Sequence, residues 1–379
     1  MEKKLSIYVH IPFCKQKCLY CDFLSAPASI QEQEVYIKAL VREIEKEAPK
    51  YKNYIVDTIF FGGGTPSLLD PKQVSLLMKT LKGNYRVEKN AEITIECNPA
   101  TADLEKLSYF RKKGINRISI GLQTADNKQL KCLGRIHSFE EFLDTYENAR
   151  TAGFENINVD IMQAIPGQDI ESCMDTVVKV VELGPEHISA YSLIVEEETP
   201  FFAMDLELPT EEEEREMYYA TRRYLKNQGY GQYEISNYAK EGYACKHNIA
   251  YWTGKDYAGF GIGAASYVKG VRFTNISDRE MYVKNLLEDK TVDEIRSEVH
   301  KLTKEEQMEE FMFLGLRMIR GVSEEDFKKR FGVTLKSKYE KVLEQHMKDY
   351  LISYQDKRYA LTPRGIDVSN YVMADYLFD

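Results

Sequence analysis

Six strand-like runs separated by helix-length segments dominate the first two thirds of the chain. They are "LSIYVHI" (5–11), "VDTIFFGG" (56–63), "AEITIECN" (91–98), "RISIGLQT" (117–124), "NINVDIMQA" (156–164) and "HISAYSLIV" (187–195). Helix starts stand between and after them. Asp70-Pro71 offers an N-cap followed by proline at the first helical position, and Ser138/Glu141 and Thr210/Glu213 form S/T-x-x-E capping boxes. The acidic run Glu211–Glu214 suits a helix N-terminus, where negative charge is favoured. Strand–helix units in series mean parallel strands joined by right-handed crossovers. Eight units would close a barrel. Six predict an α/β fold built as a partial (β/α)6 TIM-like barrel, with a doubly wound open sheet as the alternative.

Alternation within the strands says which side holds a ligand. Positions two apart share a face. Ser6, Tyr8 and His10 oppose Ile7, Val9 and Ile11; Glu92, Thr94, Glu96 and Asn98 oppose Ile93, Ile95 and Cys97. Arg117, Ser119, Gly121 and Gln123 oppose Ile118, Ile120 and Leu122, and Asn156, Asn158 and Asp160 oppose Ile157, Val159 and Ile161. A parallel strand packed on both sides reads as a nearly continuous apolar run. Here one side is polar, which predicts a polar, ligand-accessible interior. An antiparallel sheet with one solvated face gives the same alternation, but the helical spacers oppose it.

Beyond residue 230 the pattern loosens into a Tyr- and Gly-rich stretch, and a second module begins near 300. There Thr303/Glu306 and Ser323/Asp326 cap helices, a third helix covers roughly 336–349, and "YLISYQDKRYALTPRGID" reads as a β-hairpin turning at Gln355-Asp356. The expected organisation is a core over 1–230, a Tyr/Gly-rich extension over 231–295, and a small helical, winged-helix-like domain with a hairpin over 296–379.

Acidic residues outnumber basic ones, 60 to 51, giving a net charge of −9, which argues against a nucleic-acid partner. No run of about 18 apolar residues predicts a membrane span, and "MEKKLSIYVHIPFC" enters a strand pattern at once rather than a secretory signal. Seven cysteines, three of them clustered, do not resemble a disulfide framework. A reducing, cytoplasmic setting is expected.

The cluster is Cys14, Cys18 and Cys21, spaced C-x-x-x-C-x-x-C directly after the first strand. Structural zinc prefers four protein ligands, usually as two separated pairs. An iron–sulfur cube takes thiolates on its irons, and three cysteines leave one iron for an external ligand. "GGGTPS" (62–67) ends the second strand; it lacks the Gly-Lys-Ser/Thr of a phosphate loop, and glycines let backbone approach a ligand closely.

These motifs resemble the radical S-adenosylmethionine (SAM) family, in which the methionyl amino and carboxylate groups of SAM occupy the open iron of a [4Fe-4S] cluster. "YVHIPFC", "GGGTPS", "ITIECNP", "SIGLQ", the step from Gln123 to Arg135 and "NVDIM" are together similar to the oxygen-independent coproporphyrinogen oxidase branch, over nearly the whole chain. The resemblance implies cluster ligation by Cys14, Cys18 and Cys21. It also implies SAM contacts from Tyr8, Tyr20, Gly63, Gly64, Thr65, Glu96, Gln123, Arg135, Asp160 and Ile194.

Two departures separate the chain from the oxidase itself. Phe23 stands where that enzyme has a fourth cysteine, and the oxidase's N-terminal extension is not expected. "HNIAYW" (247–252) instead resembles the H-N-x-x-Y-W motif of heme chaperones in this branch. That resemblance implies heme binding by His247, Asn248, Tyr251 and Trp252, with His247 an axial ligand and the aromatics a wall for the macrocycle. From chemistry alone a lone histidine beside aromatics is more often a hydrogen-bonded core residue. The expected function is a heme chaperone holding a [4Fe-4S] cluster, SAM and heme and passing heme to an acceptor protein. An electron donor is implied if SAM is cleaved, and a homodimer stays open. The alternatives are oxidative decarboxylation of coproporphyrinogen III and SAM-dependent modification of heme.

Overall fold

The computed structural model describes residues 2–378. Six parallel strands lie side by side in chain order: β1 (Lys3–Ile11), β2 (Tyr54–Gly63), β3 (Val87–Cys97), β4 (Arg117–Gln123), β5 (Ile157–Gln163) and β6 (His187–Ser192). Their crossovers carry α1 (Ile30–Glu47), α2 (Pro71–Asn84), α3 (Leu104–Lys113), α4 (Asn127–Cys132), α5 (Phe139–Thr151) and α6 (Ile170–Leu183), and α7 (Glu211–Asn227) follows β6. The order never reverses, so the doubly wound alternative is excluded. Asp70, Ser138 and Thr210 each cap a helix through a reciprocal capping box.

The sheet continues past both edges of this series without closing. On the β6 side it adds β7 (Gly231–Glu234) and β8 (Asn237–Ala239), with β8 antiparallel to β6. A short helix, α8 (Lys246–Trp252), then precedes β9 (Tyr257–Phe260), which runs parallel to β1 on the opposite edge. Antiparallel β10 (Ala265–Val268), β11 (Val271–Asn275) and β12 (Arg296–Lys301) extend that edge, with α9 (Arg279–Leu287) between the last two. The result is one open mixed sheet of twelve strands.

The largest apolar core gathers side chains from Leu5 to Ile295, so the Tyr/Gly-rich segment packs into one body with the parallel strands, an open partial barrel. Leu5, Ile7, Val9 and Ile11 of β1 and Ile118, Ile120 and Leu122 of β4 point to the helix layer and are fully buried. The opposite faces carry Ser6, Thr94, Arg117 and Ser119, which are also buried, so the polar interior is enclosed by protein.

A second core lies within residues 308–376. It packs α10 (Lys304–Leu316), α11 (Glu324–Phe331) and α12 (Lys336–Lys348) against a small sheet of β13 (Val322–Ser323), β14 (Ile352–Gln355) and β15 (Arg358–Leu361). Gln355 pairs with Arg358, so the hairpin turns at Asp356-Lys357, one residue later than expected. Both turn residues have positive φ, as a two-residue turn matched to strand twist requires. Among the described residues no helix is long and apolar enough to cross a membrane.

One buried carboxylate ties the extension to the barrel. Glu43 of α1 accepts hydrogen bonds from the Gly261 N–H (2.8 Å), Asn275 (2.6 Å) and Tyr282 (2.5 Å). Burial outweighs these donors and pushes its carboxyl up to about 7. A folded-state value above the unfolded one means its contribution to stability is full below about pH 4.5 and lost as pH rises to about 7. The expected loss is about 3 kcal/mol. Thermal midpoints measured across that window should fall more steeply in the wild type than in Glu43→Gln; parallel curves would refute the assignment.

Candidate functional site

The site sits at the C-terminal ends of the parallel strands, where open βα loops collect. The loop after β1 carries the three cysteines, and backbone bonds fix its course. Cys14 N–H donates to the Ala26 carbonyl (3.2 Å), Ala26 N–H to Pro12 (3.0 Å), and Leu19 N–H to Leu133 (3.1 Å). The glycine run clamps its start: Gly64 N–H donates to Ile11 and Thr65 N–H to Phe13, at 2.8 and 2.7 Å. A Cβ on Gly64 would stand 2.6 Å from the Phe13 carbonyl oxygen and 3.0 Å from the Cys14 sulfur. Gly63, at φ +117°, occupies backbone that favours glycine.

A ring of polar contacts runs beneath this loop. Cys14 Sγ lies 3.5 Å from the Thr65 hydroxyl, which accepts from the Asn98 amide at 2.8 Å. Arg135 donates to Asn98 Oδ1 (2.9 Å), to the Gly121 carbonyl (2.6 Å) and to the Cys18 sulfur (3.6 Å). A buried guanidinium beside the sulfurs favours anionic ligands there. Arg135 Nε is enclosed without a partner, a donor in want of an acceptor. All three cysteines are free and half-buried. Burial pushes the Cys21 thiol up to about 11, so a metal must displace its proton.

The cysteines open onto a cavity of about 490 Å3. Tyr20, Gly63, Gly64, Thr65, Glu96, Gln123, Arg135, Asp160 and Ile194 line it with them. Tyr8 does not. It lines a neighbouring cavity of about 360 Å3, which shares Phe23, Gly63 and Glu96 with the first. Phe23, 61% exposed, thus stands at the boundary of the two spaces.

Electrostatically the larger chamber is acidic along one wall. Asp160 accepts from Ser119 (3.1 Å) and Asn158 (2.8 Å). Burial raises its carboxyl above the ordinary range. Glu96 accepts from the Gly63 N–H at 3.1 Å and is pushed up to about 8, chiefly by burial and then by the charge of Asp160. Gln123 closes β4 in left-handed backbone (φ +76°) and accepts from the Tyr191 hydroxyl at 2.9 Å.

Among the described residues no three His, Cys, Asp or Glu side chains converge on one ion-sized point. Three thiolates from one loop on a shared cavity match an iron–sulfur cube, which offers a separate iron to each. Sequence reasoning missed Asn98 and Tyr191. Asn98 carried a usable signal, because alternation put it on the polar face of β3 beside Glu96.

The helix α8 lies away from the cysteine cavity, packed against β2. Glu92 caps its N-terminus, accepting from the Lys246 and His247 N–H groups at 3.1 Å each. His247 is 1% exposed, stacks on Phe60 with centroids 5.0 Å apart, and has both ring nitrogens engaged. Nδ1 lies 2.8 Å from the Thr58 hydroxyl and Nε2 lies 3.0 Å from the Tyr251 hydroxyl. Burial pushes its pKa down to about 3, so the ring is neutral. In this conformation neither nitrogen is presented to an incoming iron. Tyr251 reaches the 360 Å3 cavity beside Tyr8, Asn248 is half-buried, and Trp252 faces the C-terminal module with the Arg317 guanidinium 4.5 Å from its ring.

A family described as the radical SAM superfamily matches residues 8–180, and one described as the HemN C-terminal domain matches 302–368. The chain is 36% identical to a heme chaperone HemW of Lactococcus lactis, covering 100% of this chain and 99% of that one. It is 37% identical to that of Bacillus subtilis over 98% and 99% of the two chains. Among solved structures it is similar to the coproporphyrinogen III oxidase HemN of Escherichia coli, a radical SAM enzyme. The TM-score is 0.85 at 25% identity, over 99% of this chain and 90% of that one.

Proposed function

The chain belongs to the HemW family of the radical SAM superfamily, and on that premise we propose that it is a heme chaperone. It binds heme, carries a [4Fe-4S] cluster with SAM, and hands heme to an acceptor protein. The observation that carries this reading is similarity over the full chain to curated heme chaperones, joined to the HNIAYW segment on α8.

The donor set suits the implied cofactors. Cys14, Cys18 and Cys21 would hold the cluster, which when bound supplies a one-electron reductant next to the sulfonium of SAM. Arg135 and the Thr65 hydroxyl offset negative charge on the sulfurs. The Gly62–Gly64 run lets backbone approach SAM, and Gly64 admits no Cβ. Asp160 and Glu96 present acceptors for the cationic and hydroxyl-bearing parts of SAM, while Tyr20, Gln123 and Ile194 border the same space and Tyr8 closes it from the adjoining cavity. The Asp160 carboxylate complements the positive charge of a sulfonium, while Glu96, pushed up to about 8, stands beside it as a hydrogen-bonding group. An electron donor is needed only if SAM is cleaved. A cytoplasmic location fits free thiols.

Oxidation of coproporphyrinogen III is the second reading, favoured by the fold shared with HemN. Phe23, in place of a sulfur at the boundary of the two cavities, opposes it. Anaerobic titration of the cluster-loaded protein with heme is expected to saturate near one heme per chain. The same protein given coproporphyrinogen III, SAM and reductant is expected to yield no protoporphyrinogen. Product formation, or a heme spectrum that never saturates, would overturn the chaperone reading.

A further inference from the structure

Helix α8 has a second face, turned away from His247. Ile249 and Trp252 on that face line a cleft of about 320 Å3 between the barrel and the C-terminal module, together with Phe311, Met318 and Val322. The rim is strongly basic. Lys255, Arg320, Arg330 and Arg358 border the cleft against one carboxylate, Asp326, in a chain whose net charge is −9. A concentration of cations around an apolar floor is the complement of an apolar body with anionic groups at its edge.

Two of these cations are held in place. Arg330 donates to the Tyr267 hydroxyl (3.0 Å) and the Gly254 carbonyl (3.3 Å), and Arg358 donates to the Gly321 carbonyl (3.0 Å) while lying 3.7 Å from Asp326. The Lys255 and Arg320 side chains are exposed and, among the described residues, make no hydrogen bond or ion pair. The floor carries its own unspent donor. Trp252 Nε1–H is buried without a partner, although Arg317 stacks on the ring. Trp252 is also the shared wall of a second cavity of about 230 Å3, bordered by Tyr251, Tyr257, Tyr267 and Phe313.

We infer that this cleft, rather than the His247 side of the motif helix, receives the carboxylate-bearing edge of the heme macrocycle. The apolar edge of the ring lies on Ile249, Trp252 and Val322, and the propionates meet Arg320, Arg358, Arg330 and Lys255. The assignment rests on the heme-binding reading above. It gives the HNIAYW segment two jobs: His247 and Tyr251 anchor α8 to the barrel, and Trp252 and Ile249 offer a surface to the ligand. A cleft of this volume takes an edge of the macrocycle and leaves the rest exposed, which suits a ligand that must be passed on.

The test uses the full-length, cluster-loaded protein and follows heme binding by the Soret band and by quenching of Trp252, the one tryptophan in the chain. The double variant Lys255→Glu/Arg320→Glu, at two exposed side chains, should fold normally, which far-UV circular dichroism checks. It is expected to bind heme about tenfold more weakly than wild type. The dimethyl ester of heme, which keeps the ring and lacks the charges, is expected to bind both proteins equally. A variant that binds heme as tightly as wild type, or loses the ester equally, overturns the cleft while leaving the chaperone reading intact. A wild type that binds no heme overturns both.

Discussion

Replacing Cys18 by serine should abolish the brown iron–sulfur absorbance outright. The chain offers its implied cluster three thiolates from one loop, and a serine hydroxyl is far too weak an acid to replace a thiolate as an iron ligand. Two remaining sulfurs would not hold a cube. The loss should be local, because the loop is pinned by backbone bonds from Cys14 to Ala26 and from Leu19 to Leu133, none of which uses a sulfur. Anaerobic reconstitution followed by absorbance and iron analysis reads the outcome, with far-UV circular dichroism showing that the barrel persists. Cys97→Ser is the informative control. Cys97 borders the same cavity, yet it is 2% exposed and its sulfur is turned to the Asn98 carbonyl and Thr101. That variant should keep its colour. A coloured Cys18→Ser, or a colourless wild type that takes up zinc, would remove the cluster from this site.

The parts of the fold written in long periodic runs are legible in the amino-acid sequence alone. Strands β1, β3, β4 and β5 alternate over six or more residues, and the capping boxes at Ser138 and Thr210 are local devices that need no tertiary knowledge. Strands β7 to β11 are three to five residues long, too short for a period to show, so their order on the two sheet edges leaves no local signal. The candidate site divides the same way. Cys14, Cys18 and Cys21 advertise themselves by spacing, whereas the link from Cys14 through Thr65 and Asn98 to Arg135 joins four separate loops. His247 illustrates the limit most sharply. The partner that occupies its Nδ1 is Thr58, 189 positions away, and nothing near residue 247 reveals it.

Arg117 carries the other large effect. It opens β4 on the polar side of the sheet, 1% exposed, and its Nε has no hydrogen-bond partner. Burial opposes its charge, but its surroundings, the Glu92 and Asp160 carboxylates among them, outweigh that and raise its pKa. The cation in turn offsets two carboxylates with different duties. Glu92 caps α8, and Asp160 stands in the wall of the chamber. Arg117→Met keeps the apolar stem and removes the charge, leaving both carboxylates buried without their cation. The expected cost is about 3–5 kcal/mol, read as a lowered midpoint in chemical denaturation. Glu92→Gln in the same background removes one of the stranded charges. The double variant should therefore be less destabilised than the two single effects added together, by about 1–3 kcal/mol. The coupling is the decisive quantity, because a simple packing defect at Arg117 would leave the cycle additive. An Arg117→Met protein within about 1 kcal/mol of wild type would mean that Glu92 and Asp160 are satisfied by their hydrogen bonds alone.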